Sequence, residues 1–232
     1  MTTIASNLQA VRERIATACT SAGRSVEDVT LLAVSKTFGP GAVREAHAAG
    51  QLAFGENYVQ EALEKMADLA DLPLQWHCIG PLQSNKTRPV AEHFDWVHTV
   101  DRLKIAERLA AQRPPERPPL NVCIQVNVDG GPTKAGVAPA EALALARAVA
   151  ALPGLRLRGI MTIPEPAADF MAARALHAGA RAVFDQLNAA GLALDTLSMG
   201  MSADLEAAVA AGSTMVRVGA AIFGARPARP AT

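Results

Sequence analysis

The sequence has 232 residues, of which 50% are hydrophobic and 19% are charged, so the chain can bury a sizeable core and global disorder is excluded. Lys+Arg and Asp+Glu number 22 each, and a chain without net charge lacks the cationic field that nucleic-acid binding requires. The length favours one large domain over residues 1–232.

Cys19, Cys78 and Cys123 are odd in number and widely spaced, which predicts reduced thiols rather than a disulfide framework or a zinc cluster. The first residues contain no apolar run of signal-peptide length, and no later run reaches transmembrane length. We therefore expect a soluble, cytoplasmic protein without a bound metal.

Short apolar runs alternate with amphipathic segments along almost the whole chain. A leading helix is predicted over residues 4–22, ended by Gly23. Eight strand–helix units follow. The predicted strands are residues 29–35, 52–54, 74–79, 94–99, 120–128, 155–163, 195–198 and 215–218. The predicted helices are approximately residues 40–49, 58–69, 84–93, 102–112, 139–152, 169–190, 203–211 and 220–224.

The predicted strands are continuous apolar runs, which is typical of a parallel sheet covered by helices. Eight such units match a closed (β/α)8 TIM barrel, an α/β fold, here with an extra N-terminal helix. The alternative is an open doubly wound sheet. That fold would need a nucleotide-type glycine turn after the first strand, where the sequence reads SKTFGPG and lacks G-x-G-x-x-G. The pattern favours the barrel.

Barrel enzymes place their functional residues where strands end, and the five lysines of the chain divide on this criterion. Lys36, Lys86 and Lys134 follow the first, third and fifth strands and are predicted on the functional rim. Lys65 and Lys104 fall within helices and are predicted to be solvated.

Lys36 is the strongest candidate for a functional lysine because it directly follows the apolar run LLAVS. An amine that emerges from a low-dielectric wall has a lowered pKa and becomes nucleophilic toward an aldehyde. The ordinary alternative is a rim lysine that extends its charge into water. Position alone leaves both interpretations open.

Glycines and serines follow the last two strands, in the sequences SMGMSAD and RVGAAIFG. These two loops form the usual phosphate site of the barrel. Gly200, Gly219 and Gly224 permit close backbone approach, and Ser198 and Ser202 offer hydroxyls, although the glycines could simply end the elements. A rim amine and a phosphate cradle together favour a phosphorylated aldehyde such as pyridoxal 5'-phosphate (PLP).

Four segments carry a family resemblance: AVSKTF (33–38), FGENYVQE (54–61), WHCIGPLQSNK (76–86) and MGMSADLEAAVAAGSTMVRVGAAIFG (199–224). Together they resemble the pyridoxal phosphate homeostasis protein family, single-domain relatives of the alanine racemase barrel. The resemblance extends from about residue 5 to 226. It implies a fold-type III barrel that holds PLP as a Schiff base on Lys36.

The resemblance also implies phosphate contacts from Ser198, Gly219 and Ala220, and an arginine, Arg217, beside the pyridine nitrogen. Asn57 and His77 match positions near the cofactor ring, although His77 is equally well explained as a core histidine. The full expected cofactor-binding set is Lys36, Asn57, His77, Ser198, Gly200, Arg217, Gly219 and Ala220.

The sequence departs from the family pattern at two positions. Phe38 stands where the family often has a second basic residue, which puts in doubt a secondary transfer role there. Ala220 stands where a threonine is common, so one phosphate hydrogen bond from a hydroxyl is lost while the backbone N–H remains. Lys134 matches another family lysine, with at most a weak part in binding or transfer.

Arg217 stays protonated at ordinary pH, so it can donate a hydrogen bond to the pyridine nitrogen but cannot easily protonate it. The ring is then a poor electron sink. Racemases of this barrel type add a tyrosine base from a further domain, whereas the only tyrosine here is Tyr58, which has no evident route to a substrate.

These features favour a carrier that binds PLP reversibly and helps hold its free level steady, with PLP-dependent apoenzymes as candidate recipients and a monomer as the expected state. The alternatives are a PLP-dependent amino acid racemase of low activity and an aldolase that uses Lys36 without any cofactor.

Overall fold

Eight parallel strands form one closed ring in the computed structural model, which describes residues 3–131 and 135–225. Strands β1 to β8 are Thr30–Val34, Ala53–Glu56, Gln75–Cys78, Trp96–Val100, Leu120–Gln125, Leu155–Met161, Thr196–Ser198 and Met215–Val218. Helices α1 to α9 are Ile4–Ser21, Pro40–Ala48, Val59–Asp68, Thr87–His93, Leu103–Gln112, Pro139–Ala150, Phe170–Ala189, Leu205–Ala210 and Ala220–Phe223. The predicted (β/α)8 barrel and its extra N-terminal helix are confirmed.

The ring closes where β1 pairs in parallel with β8, with Leu32 opposite Arg217 and Ala33 opposite Val218. Parallel strands bury both faces, which explains why they read as apolar runs in the sequence. Helix α1 packs against α8 and α9 beside this seam. There Asn7 donates a side-chain hydrogen bond of 2.9 Å to the carbonyl of Ile222.

The apolar core lies mainly between the strands and the surrounding helices, where alternate strand residues such as Ala33 and Val216 are fully buried. The intervening residues point into the barrel. Leu32 and Met215 belong to a small apolar cluster there. The interior also holds buried polar side chains, namely His77, His98, Thr162, Ser198 and Arg217. The barrel therefore has an apolar outer layer and a partly polar centre.

Several strand boundaries differ from the prediction, among them those of β2 and β5. Strand β2 extends to Glu56, a charged residue that the apolar pattern excluded, because that carboxylate is buried in an ion pair. Strand β5 ends at Gln125, and only an isolated bridge between Val126 and Val137 continues it.

The three cysteines are free and buried, which confirms the expectation of unpaired thiols. Burial raises the pKa of Cys78 and of Cys123 to about 12, so both remain protonated at neutral pH. No helix in residues 3–131 and 135–225 combines the length and the apolar character that crossing a membrane needs.

We predict opposite effects of alanine at two glycines. A Cβ at Gly159 in β6 would lie 1.6 Å from the carbonyl oxygen of Thr196 in β7, so Gly159→Ala must push two paired strands apart. A Cβ at Gly179 in α7 meets nothing within 4 Å, so Gly179→Ala should stabilise the protein by about 0.5–1 kcal/mol through helix propensity. Urea unfolding measures both, and a wild-type midpoint for Gly159→Ala would contradict this packing.

Candidate functional site

A cavity of about 310 Å³ opens at the carboxyl ends of the strands, a size in the range of small-molecule sites. Its walls come from residues at the ends of β1 and β8 and from segments that follow β1, β2, β3, β6, β7 and β8. They are Val34, Lys36, Phe38, Asn57, Ile79, Ile163, Met201, Ser202, Ala203, Arg217, Gly219, Ala220 and Gly224. The site therefore lies on the rim that the barrel prediction indicated.

Lys36 is held at the rim by a tight turn after β1. The amide of Ser35 continues the ladder by donating to the carbonyl of Gly55, and the amide of Phe38 closes the turn on the carbonyl of Ser35. Between them, Thr37 adopts a left-handed φ of 69°. A β-branched residue in this region costs of order 1 kcal/mol, so the surrounding contacts must hold the turn.

A buried ion pair supports that turn from below. Lys65 Nζ lies 2.5 Å from Glu56 Oε1 and donates to the carbonyl of Ser35 at 2.9 Å, while the Ser35 hydroxyl donates to Glu56 Oε1 at 2.6 Å. Both charged side chains are at most 5% exposed. The prediction that Lys65 is solvated is wrong, because α3 packs its inner face over the end of β2. Lys104 is exposed as predicted.

Asn57 lines the cavity and has a buried acceptor. Its Oδ1 is buried and has no hydrogen-bond partner among the described residues. The backbone of Asn57 sits against Gly80, where a Cβ would lie 2.2 Å from the Asn57 carbonyl oxygen. An unsatisfied buried acceptor in a cavity wall is what a ligand that donates a hydrogen bond would satisfy.

Arg217 is the cation of the cavity floor. Its Nη1 donates to Ser198 Oγ and its Nη2 to the carbonyl of Thr162, both at 2.8 Å. Burial lowers the pKa of Arg217 to about 10, so it remains charged at neutral pH. Two fixed bonds leave the guanidinium little freedom to turn.

The side of the cavity that was predicted to bind phosphate combines backbone and small side chains. Gly219 and Ala220 open α9, whose first amides have no partner within the helix. Ser202 faces the same cavity from the loop after β7. Phe38 stacks on Phe223 with ring centroids 5.1 Å apart, so the position of the missing basic residue is an apolar wall.

The structure brings together five of the eight residues predicted to bind the cofactor. Lys36, Asn57, Arg217, Gly219 and Ala220 all line the cavity. Their proximity follows from ring closure, because β1 and β8 are neighbours although they lie at opposite ends of the sequence.

His77, Ser198 and Gly200 lie outside the cavity wall, so direct contact of these three with a ligand stays a prediction. The Ser198 hydroxyl is already bonded to Arg217 and to His98. A Cβ on Gly200, whose φ is +93°, would lie 2.4 Å from Ala208 Cβ. This glycine therefore serves close packing on α8.

His77 is completely buried in the barrel interior, in line with its interpretation as a core histidine. Its ring lies parallel to that of Trp96, with centroids 5.1 Å apart. Lys86 is exposed and does not line the cavity, and Lys134 lies outside the described residues. Sequence reasoning gave no role in the site to Ile163 or Ala203, because no motif marks an apolar wall.

Replacing Lys65 by methionine should leave Glu56 uncompensated and destabilise the fold by about 3–5 kcal/mol, whereas Lys104→Met should stay within about 0.5 kcal/mol. Burial already raises the pKa of Glu56, and removing Lys65 raises it further. In the variant, Glu56 is then protonated at a higher pH in the folded state than in the unfolded state. The loss of unfolding free energy relative to wild type should therefore shrink as the pH falls from 8 to 5. Denaturant unfolding tests this, and a deficit that grows at pH 5 would contradict it.

Comparisons with known proteins agree with this geometry. The model of the alanine racemase N-terminal domain family matches residues 6–227. The chain is 62% identical over 226 residues to the pyridoxal phosphate homeostasis protein of Pseudomonas aeruginosa, covering 97% of each chain. It is 55% identical over 229 residues to the protein of that name in Escherichia coli, covering 97% of this chain and 98% of that one.

Among solved structures, PipY of Synechococcus elongatus with PLP bound superposes with a TM-score of 0.80 at 43% identity, covering 90% of this chain and 100% of that chain. An alanine racemase from Corynebacterium glutamicum superposes with a TM-score of 0.71 at 19% identity, covering 97% of this chain and 64% of that chain. The second likeness shows a common fold alone.

Proposed function

The chain belongs to the pyridoxal phosphate homeostasis protein family, built on the alanine racemase N-terminal domain, and from this premise we propose that it binds PLP covalently through Lys36 and helps to hold the free level of the cofactor steady. One observation carries the proposal. Lys36, Gly219 and Ala220 line a single cavity. The name and bound cofactor of the relatives support the same chemistry.

The cavity residues fit the chemical groups of PLP. When bound, PLP supplies an aldehyde that condenses with a lysine amine, together with a phosphate and a pyridine ring. Lys36 would bond to the aldehyde, the amides of Gly219 and Ala220 would bind the phosphate, and the unsatisfied Asn57 Oδ1 offers an acceptor beside them.

The persistent positive charge of Arg217 favours a carrier over a catalyst. A guanidinium with a pKa of about 10 donates hydrogen bonds at neutral pH and keeps its proton. It therefore cannot turn the bound ring into the protonated electron sink that proton abstraction at a substrate α-carbon demands. Tyr58, the only tyrosine of the sequence, caps α3 and is absent from the cavity wall. No described tyrosine is in place as a second base.

The carrier therefore needs only three operations from its own residues. Lys36 forms and releases the covalent bond, Arg217 orients the bound ring, and the apolar side chains of Phe38, Ile163 and Met201 cover its faces. Ile163 and Met201 are more than a third exposed, so the cavity stays accessible for loading and release. Transfer to PLP-dependent apoenzymes, a monomeric state and a cytoplasmic location stay predictions.

We expect Lys36→Ala to abolish the visible absorption band of the PLP-loaded protein while the protein stays folded, because a rim lysine supports little of the core. Lys86→Ala removes an exposed amine from the same end of the barrel and should keep the band. Absorption spectra after PLP titration, with circular dichroism as the folding check, measure both. A band that survives in Lys36→Ala would move the attachment to another residue.

The carrier proposal also predicts no exchange of the α-proton when the loaded protein is incubated with a panel of amino acids in deuterated water. Proton NMR of the amino acids measures this. Exchange that disappears in Lys36→Ala would support the racemase alternative instead.

A further inference from the structure

A continuous chain of hydrogen bonds crosses the barrel interior beneath the cavity. From Arg217, Nη1 donates to Ser198 Oγ at 2.8 Å, and Ser198 Oγ lies 3.0 Å from His98 Nδ1. His98 Nε2 lies 2.9 Å from His77 Nδ1, and His77 Nε2 lies 3.0 Å from Gln75 Oε1. The chain uses β8, β7, β4 and β3. It ends at exposed Gln75, which lines a groove at the opposite end of the barrel.

With the Gln75 amide oxygen facing His77, the chemistry of the groups sets the direction of each bond. Gln75 Oε1 can only accept, so His77 Nε2 carries a proton. Burial lowers the pKa of His77 to about 3 and that of His98 well below its usual value, so each ring is neutral and has one N–H. His77 Nδ1 must then accept from His98 Nε2, and His98 Nδ1 must accept from the Ser198 hydroxyl. Every donor points away from the cavity.

This polarity has a consequence at the cavity floor. Because the Ser198 hydroxyl donates a hydrogen bond to His98, its oxygen is a stronger acceptor for Arg217 than an isolated hydroxyl would be. The hydrogen of that hydroxyl is therefore not available for a hydrogen bond to a phosphate. Ser198 therefore acts on a ligand through Arg217, whose second terminal nitrogen is held by the carbonyl of Thr162.

Neighbouring side chains hold the histidines by packing. The Trp96 ring stacks on His77 with an interplanar angle of 7°, and the guanidinium of Arg158 lies 4.6 Å from the Trp96 centroid. Trp96 Nε1 has no hydrogen-bond partner among the described residues, so Trp96 contributes contact area and excludes water without joining the chain. Packing and hydrogen bonding can therefore be tested separately.

We propose that His98 and His77 are positioning residues, which act through Ser198 to hold the Arg217 guanidinium in one orientation toward the ring of bound PLP. The inference rests on the proposed function and extends it. It assigns two histidines of the barrel interior to the cofactor site although neither lines the cavity.

The test replaces His98 with leucine, which has no ring nitrogen. His98→Leu should shift the visible absorption maximum of the PLP-loaded protein and speed PLP release about fivefold, the factor expected for one lost hydrogen bond between neutral groups. Trp96→Phe keeps the hydrogen-bond chain and should change neither quantity. A folded His98→Leu with the wild-type spectrum and release rate would overturn the proposal.

Two further measurements keep the outcome clear. If His98→Leu does not fold, Ser198→Ala breaks the same chain with a smaller change. A role through Arg217 predicts weakened retention of both PLP and pyridoxal, whereas weakened retention of PLP alone would make Ser198 a phosphate contact and overturn the proposal.

Nitrogen-15 NMR of the protein without cofactor reads the tautomers directly, independently of PLP binding. Both histidines should carry their proton on Nε2, and an Nδ1 proton on His98 would contradict the assigned polarity. A wild-type protein that shows these tautomers but binds no PLP would refute the proposed function, and the positioning role with it. Correct tautomers and normal PLP binding, with an unaltered His98→Leu spectrum, would refute the positioning role alone.

Discussion

The parallel pairing of β1 with β8 is the contact on which the site depends. It sets Leu32 opposite Arg217 and Ala33 opposite Val218, so the segments that follow the two strands emerge side by side. Lys36 and Gly219 thereby line one cavity although 183 positions separate them in the sequence. The other six strands close the ring and fix this register.

Buried polar groups below the rim give the site its rigidity. Burying a charge without partners is costly, and here each buried charge is bonded. Lys65 and Glu56 meet under the turn that carries Lys36, and Ser198 meets Arg217 under the cavity floor. The amine and the guanidinium that face the cavity are therefore both supported from inside the fold. Such preorganisation suits a protein whose task is to bind one molecule well.

The sequence was sufficient for the architecture because eight apolar runs separated by helical segments leave few alternatives to a barrel. Strand ends also placed Lys36 and the last two loops at the rim, whereas Arg217 was indicated only by the family resemblance, and all of them line the cavity. Sequence analysis failed where the role of a residue depends on partners that are distant in the sequence. Lys65 has the sequence context of a solvated helix lysine, and only the fold shows that it pairs with Glu56 at the end of β2. His98 belongs to no motif. Its partners on neighbouring strands become visible only when the ring is closed.

The most direct test of the account is to reduce the PLP-loaded protein with borohydride and map the added mass by peptide mass spectrometry. The account predicts one pyridoxyl group per chain, on Lys36, and none on the other four lysines. A principal adduct on any other lysine would contradict it, since Lys36 would then not be the attachment point. So would the absence of any adduct.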